Sequence, residues 1–513
     1  MNRIQYYPET CVWEITMACN MNCGHCGSKC SEQLPGELNK KEALQLCDQL
    51  VKLGLKQVTL SGGEPFMRKD WHHIAKCLSS QGVKVNAISN GWFVDETLLD
   101  MALESGMSNI GISLDGIEET HDLIRMPGSF KRITNSLKLM QKRGFPTAIV
   151  TTIMKTNISM LSQIYKHLEL HGVELWQIQL GLPMGNLSRD NIIKPEQVHE
   201  IITFTEGIVG SSSVKILLAD SIGYYSKQLA RVSESFWGKT VCWAGCQAGK
   251  SSFGILHDGS IIGCASIRQP SFIEGNIRQV SLHEIWNRSG AFAWNRDFSV
   301  KDLSGFCRVC RYNANCLGGC SNSKLVMTGG LSDNPYCIYR CSIEHLLEKV
   351  NSIFSKDTLM QRAKKAISLE MYEIAERCLD RLLQFDPNHI EAMKLWGYVW
   401  FKIGDFSRCL EINQRALSIA PDDVFVNKGL GISLAKMGFV QEGIKALQKA
   451  ITLTSPKYVD PYYDLAVVLM ENNRFQEAID VLNQGRLFSP DFIAISEPLY
   501  QTCLEAQKAD AFA

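Results

Sequence analysis

Up to about residue 185 the chain repeats one alternation, and that alternation limits the folds open to it. Six short runs rich in β-branched residues, at 11–16, 57–61, 83–89, 109–114, 147–153 and 175–180, each end in a glycine, asparagine or charged turn. Such runs read as buried strands. Amphipathic stretches such as Lys40–Lys52 and Ser129–Lys142 lie between them. Strands alternating with helices predict a parallel sheet, either open or curved into a partial barrel. In such folds the chemistry gathers at the C-terminal ends of the strands. Just past the first strand stand Cys19, Cys23 and Cys26, spaced C-x3-C-x2-C.

Cysteine is also the outlier of the composition, with 19 in 513 residues. A secreted disulfide scaffold would be short and would open on a signal peptide. The start MNRIQYYPETCVWEIT has no apolar core for one, and no apolar run approaches the ~20 residues of a membrane span. Lys plus Arg and Asp plus Glu are both 53, which gives no basic surface for nucleic acid or an anionic membrane. The expected setting is cytoplasmic, with the clustered thiols as metal ligands. Three thiolates fall short of the four ligands a structural zinc takes. A cubane iron–sulfur cluster held by three cysteines leaves one iron open, which is useful only if a substrate or cofactor fills it.

The spacing at the end of a first strand resembles the signature of the radical S-adenosylmethionine (SAM) enzymes. That resemblance implies a partial (β/α)6 barrel whose reduced cluster cleaves SAM to a 5′-deoxyadenosyl radical. Further motifs agree with it in order. Ser61-Gly62-Gly63-Glu64-Pro65 matches the GGEP motif, so Gly62 and Gly63 are expected to let backbone approach SAM, and Glu64 to accept from its methionine ammonium. Ser89-Asn90-Gly91 resembles the ribose-contacting position. Ser113-Leu114-Asp115-Gly116, followed by His121-Asp122 and Arg125, implies a ribose contact from Ser113 and a carboxylate pair from Arg125. Leu180 or Leu182 is a candidate adenine contact. Where many relatives carry an aromatic residue before the third cysteine, this chain has His25, either an adenine contact or a packing residue. Cys30 lies close by, and the motif assigns it no role.

Residues 240–345 are dense in Cys, Gly and Asn. Metal crosslinks replace an apolar core in such regions. Cys242, Cys246, Cys264, then Cys307, Cys310, Cys316 and Cys320, then Cys337 and Cys341 resemble the SPASM domain of peptide and protein maturases. Spacing alone leaves two structural zinc sites open; the link to the N-terminal motif favours iron–sulfur. The resemblance implies one auxiliary cluster on Cys242, Cys246, Cys264 and Cys320, and another on Cys307, Cys310, Cys316 and Cys337, with Cys341 as a substitute for Cys337. Three 4Fe–4S clusters are then expected, one of them binding SAM. Of the cysteines left over, Cys47, Cys77, Cys378 and Cys409 read as small hydrophobes on helix faces.

From about residue 356 onward, Pro387, Pro421, Pro456 and Pro490 recur at intervals of 34, 35 and 34. Small or apolar residues keep phase with them: Ala363, Gly397, Gly431 and Ala466, then Leu382, Ala416, Ala450 and Gly485. This pattern resembles the tetratricopeptide repeat, with small residues at helix crossings and a proline ending each second helix. Four units are expected, at 356–389, 390–423, 424–458 and 459–492, with a terminal cap. The expected domains are 1–235, a radical SAM partial barrel; 236–350, the SPASM domain; and 356–513, the all-α repeat solenoid.

The family resemblance implies hydrogen abstraction from a ribosomally made peptide or protein, leaving a crosslink, thioether, epimer or oxidised side chain. The repeats are expected to hold that substrate. About ten residues precede the first strand, so the leader-binding module of many maturases is expected to be absent. An external electron donor such as flavodoxin or ferredoxin, and a setting poor in oxygen, are implied. The sulfatase-maturing branch places an Asp directly after the cysteine equivalent to Cys264; here Ala265 and Ser266 follow it. The alternatives are a radical enzyme acting on a small molecule such as a tetrapyrrole, and a non-catalytic iron–sulfur and repeat scaffold.

Overall fold

Parallel strands need helical crossovers, and the chain supplies them in strict order. In the computed structural model, which describes residues 5–219, 221–455 and 458–510, β1 (Thr10–Thr16) leads through α1 (Lys40–Lys52) to β2 (Gln57–Gly62). Next come α2 (Trp71–Ser79), β3 (Lys84–Ser89), α3 (Glu96–Glu104) and β4 (Met107–Ser113). Then follow α4 (Glu118–Ile124), α5 (Ser129–Lys142), β5 (Thr147–Ile153), α6 (Leu161–Leu170) and β6 (Leu175–Leu180). Asn39 and Glu42 form a reciprocal capping box that starts α1. Trp13, Leu60, Val85, Ile110, Ile149 and Trp176, from the six strands, are fully buried in one core with the helices.

The sheet does not stop at six strands. After α7 (Val198–Val209), β7 (Lys215–Leu218) pairs with β6. Past α8 (Lys227–Trp237), β8 (Ser252–Ile255) joins the other edge, parallel to β1, and carries β9 (Ser260–Ile262) and β10 (Ile273–Asn276) antiparallel beyond it. The order is β10-β9-β8-β1-β2-β3-β4-β5-β6-β7. These added strands are only three or four residues long. So short a run carries little periodic signal, and its strand character comes from the neighbour it pairs with.

By contacts the chain divides into two units: Met1–Cys307 with Ala314–Ser342, and Arg308–Asn313 with Ile343–Ala513. In the second unit the helices come as Lys356–Ser368 with Tyr372–Phe385, Ile390–Ile403 with Phe406–Ile419, Val424–Lys436 with Val440–Leu453, and Asp460–Glu471 with Phe475–Arg486, before a last helix, Pro490–Asp510. The in-phase small residues sit where paired helices cross. A side chain on Gly431 would meet Leu447 and the Gly443 carbonyl. Pro387 and Pro421 follow the second helix of their pairs. Pro456 lies outside the described residues. Pro490 differs from the expectation: it opens the last helix, where its missing N–H costs nothing.

Candidate active site

The C-terminal end of β1 runs into the loop that carries the first three cysteines. Backbone bonds close this loop. Cys19 N donates to Ser31 O at 2.9 Å, and Ala18 bridges Ser31. Gly24 N donates to Ile124 O at 2.9 Å, and Asn186 N donates to Cys26 O at 2.9 Å. At the neighbouring end of β2, Gly63 N and Glu64 N donate to Thr16 O and Ala18 O, both at 2.8 Å. Side chains on Gly62, held at φ +132°, and on Gly63 would collide with those same two carbonyls. Glycine is therefore required at both positions for the two strand ends to meet.

Cys19, Cys23 and Cys26 line one cavity of about 900 Å³. Gly62, Gly63, Asn90, Ser113, Arg125 and His25 line it too, as do Leu180 and Leu182. Cys246, Cys264 and Cys320, from distant parts of the chain, line the same cavity. Burial pushes the Cys23 thiol up to about 11; Arg125 opposes this, while Cys19 and Cys26 add to it. Burial raises the Cys19 thiol too, whereas the neighbouring Cys30 thiol and nearby backbone bring Cys26 down to about 5. Among the described residues no three His, Cys, Asp or Glu side chains converge as they would on a single ion. An iron–sulfur cube is a larger guest whose ligands stand apart, and three thiols spread around one cavity fit it.

Arg125 reaches this wall through a partner for which no role was expected. Its Nε donates to Asp115 Oδ2 at 2.6 Å, and Asp115 Oδ1 accepts from Thr152 N at 2.8 Å. His25 Nε2 lies 3.1 Å from the same Oδ2. Burial works against the Asp115 charge, but Arg125 and then His25 hold its carboxyl well below the usual range. His25 Nε2 also lies 3.4 Å from Arg125 Nη2, so both contacts fall on this ring nitrogen and Nδ1 is the other one. That Nδ1 is buried with no partner among the described residues.

Glu64 departs from its expected place. It is fully buried, and it is absent from the cavity wall. Its Oε1 accepts from Ser89 Oγ at 2.9 Å and from Phe66 N, and its Oε2 accepts from Asn90 N at 2.8 Å. Burial pushes its carboxyl up to about 7 against those hydrogen bonds. Glu64 thus ties the end of β2 to the end of β3. Asn90 in turn donates to Asn20 Oδ1 at 2.8 Å, inside the cysteine loop.

The later cysteines fall into groups. Burial first, then Cys320 and Cys246, raise the Cys264 thiol, and Cys246 adds to the burial that raises Cys320, whereas Cys242 is exposed. Cys307, Cys316 and Cys337 form a second group, and Cys341 acts on Cys337. Cys310 belongs to the short segment assigned to the second unit. Lys324 is 2 % exposed; burial lowers the pKa of its ammonium, and Cys246, Cys307, Cys316 and Cys320 oppose that shift. Arg268, four residues past Cys264, bonds Glu14 on β1 and Ser28 in the cysteine loop. Ala265 and Ser266 line the wall beside Cys264 and offer no carboxylate there. No spacing rule marks Lys324 or Arg268. Asp115 sits inside the Ser113–Gly116 motif, which was the available signal.

Residues 13–168 match the Radical SAM superfamily, residues 246–311 the SPASM iron–sulfur cluster-binding domain, and residues 434–500 the tetratricopeptide repeat. The chain carries a radical SAM domain, a SPASM domain and tetratricopeptide repeats, in that order. The AdoMet-dependent heme synthase of Methanosarcina barkeri is 28% identical over 344 residues, covering 65% of this chain and 97% of the relative. The mycofactocin maturase MftC of Mycobacterium tuberculosis is 26% identical over 331 residues, 64% of this chain and 82% of its own. Native anSMEcpe with bound AdoMet shares the fold at a TM-score of 0.53 and 16% identity, over 67% of this chain and 100% of that one. Streptococcus suis SuiB bound to S-adenosylmethionine does so at 0.53 and 14%, over 64% and 77%. Among the described residues no helix is long and apolar enough to cross a membrane.

Proposed function

We propose that this radical SAM chain modifies a ribosomally made peptide or protein by hydrogen abstraction. The observation that carries the reading is the shared cavity. Cys19, Cys23 and Cys26 line it with the Gly62–Gly63 corner, Ser113 and Arg125, and so do Cys246, Cys264 and Cys320. When bound and reduced, a 4Fe–4S cluster with SAM supplies a 5′-deoxyadenosyl radical. Asp115 fixes Arg125 by its Nε edge, and the outer N–H groups point to Cys23 Sγ and His25 Nε2, at 4.0 and 3.4 Å, from which a substrate carboxylate would draw them. Gly62 and Gly63 let the ends of β1 and β2 meet, which brings their backbone to the cavity wall. Leu180 and Leu182 make part of the wall apolar and help exclude water.

In this reading Cys246, Cys264 and Cys320 with Cys242, and Cys307, Cys316 and Cys337 with Cys310, hold two auxiliary clusters. Closing the first set requires the exposed Cys242 segment to fold inward. Residues 1–235, 236–350 and 356–513 are the working domains, the repeats bind the substrate, and a cytoplasmic flavodoxin or ferredoxin supplies the electron. The tetrapyrrole reading draws support from the relatives named as heme and Fe-coproporphyrin III synthases. The wall chemistry favours the peptide. Among the described residues its one cationic side chain of fixed charge is Arg125, already shared with Asp115. Several carboxylates buried there would lack partners.

The test is anaerobic incubation of the reconstituted protein with SAM and dithionite. 5′-Deoxyadenosine should form, and the Cys19→Ala/Cys23→Ala/Cys26→Ala variant should form none; equal yields would sink the enzyme reading. The same variant then serves as bait in native cells. A co-purifying precursor peptide whose mass changes on treatment with active enzyme supports the peptide reading. Conversion of iron-coproporphyrin III, with no peptide recovered, replaces it with the tetrapyrrole one.

A further inference from the structure

The motif uses three thiols, but the cavity holds a fourth beside them. Cys30 is only 4 % exposed and lines the same cavity as Cys19, Cys23 and Cys26. Its Sγ donates to the Gly62 carbonyl at 3.4 Å, at the corner expected to meet the amino group of SAM. The Cys26 thiol is close enough to interact with it. The closure of Cys19 onto Ser31 pins Cys30 at the far end of the same loop. A second feature marks the cavity as built for a guest. The His25 side chain is 8 % exposed and its Nδ1 has no partner among the described residues. Buried polar atoms in native proteins find partners.

From this juxtaposition we propose that Cys30 is a fourth, exchangeable cluster ligand. Before SAM binds, the Cys30 thiolate occupies the iron that Cys19, Cys23 and Cys26 leave open, and the methionine end of SAM displaces it. The proposal rests on the radical SAM reading. The exchange balances without a further reagent. One iron–sulfur bond to Cys30 breaks, and bonds from iron to the methionine nitrogen and carboxylate oxygen form. The methionine ammonium must shed a proton to bind iron, and the departing thiolate takes it; no electron moves. The released thiol then donates to the Gly62 carbonyl, as it does in this structure. An occupied fourth position also protects the open iron from oxidants while SAM is scarce.

The test is Mössbauer spectroscopy of the full-length protein loaded with enriched iron. Without SAM, wild type and Cys30→Ala should differ by one iron of the N-terminal cluster; with SAM their spectra should coincide. Brief ferricyanide treatment without SAM should give a three-iron electron paramagnetic resonance signal several-fold stronger in Cys30→Ala than in wild type. Coincident SAM-free spectra, or equal three-iron yields, overturn the proposal. If Cys30→Ala does not retain iron, wild type decides: ready formation of the three-iron signal without SAM overturns it, and resistance supports it. The parent reading fails separately, if the Cys19→Ala/Cys23→Ala/Cys26→Ala variant keeps its full iron content.

Discussion

The two cysteine fields of the first unit are assembled in opposite ways. Cys19, Cys23 and Cys26 ride one loop, closed on itself by the bond from Cys19 N to Ser31 O. Cys246, Cys264 and Cys320 share a wall but come from segments up to 74 residues apart. The first field is local in sequence and the second is made by the fold. The difference is smaller than it looks. The local loop is pinned by Ile124, by Asn186 and by the Gly62–Gly63 corner, and its histidine by Asp115. A short motif names the ligands, while distant residues hold them at their places.

Asp115→Asn breaks that hidden support and should have the largest effect. It leaves Arg125 buried without its counter-charge and His25 without an anionic acceptor. Removing one partner of a buried pair costs about 3–5 kcal/mol. The thermal midpoint should fall, and SAM affinity should fall more than in Asp122→Asn, whose carboxylate is near the surface. Equal effects would mean that the loop stands on its own. Gly63→Ala comes next. Its methyl meets the Ala18 carbonyl, and overpacking against rigid backbone costs about 3 kcal/mol. Iron analysis should show the N-terminal cluster lost first and the auxiliary iron retained.

Glu64 tests the same junction by pH. Its folded value, about 7, lies above its ordinary 4.5. Its stabilisation is therefore full below the ordinary value and is lost as pH rises through 7. The midpoint of wild type should decline from pH 5 to 7.5, on the order of 2–3 kcal/mol in all. Glu64→Gln should flatten that slope; an unchanged slope would place the titration elsewhere.

How much was legible follows from the same contrast. Strands β5 and β6 and helices α1 and α5 stand at the residues that periodicity predicts, because each is long enough to show its pattern. The repeat helices were legible because one unit recurs. Strands β7 to β10 were not, being short runs made into strands by neighbours. At the site, glycines and cysteines announced themselves by spacing. Arg268 and Lys324 did not, and Asp115 was marked only by the motif around it, because a buried charge is defined by what surrounds it and one sequence carries no record of that. Glu64 shows the converse: the motif finds the residue, and the fold commits its carboxylate to Ser89, Asn90 and Phe66.

Lys324 sharpens the comparison from the side of the fold-made field. Its ammonium donates to Leu317 O at 2.8 Å and is favoured by cysteines of both auxiliary groups. A buried cation beside anionic clusters stabilises their reduced state. Lys324→Gln should lower an auxiliary reduction potential by about 60 mV, a tenfold change in a one-electron equilibrium. Redox titration followed by electron paramagnetic resonance reads this, and the N-terminal signal should not move. A shift confined to the N-terminal cluster would mean that Lys324 serves the wrong field.

The smallest effect belongs to a cysteine in neither field. Cys47 on α1 is fully buried and lies 3.9 Å from the Ile74 carbonyl, with Cys77 and Cys11 near it. Burial pushes its thiol well up, so it stays protonated and acts as a small apolar group. Cys47→Ala then removes one buried sulfur and should cost about 1 kcal/mol. Iron content and both sets of spectra should be untouched. Three neighbouring thiols are thus not enough to make a metal site. What separates Cys47 and Cys77 from Cys19, Cys23 and Cys26 is the cavity: of the trio Cys11, Cys47 and Cys77 only Cys11 lines it, while Cys19, Cys23 and Cys26 all face a space that a cluster can enter. Loss of iron from Cys47→Ala would break that distinction.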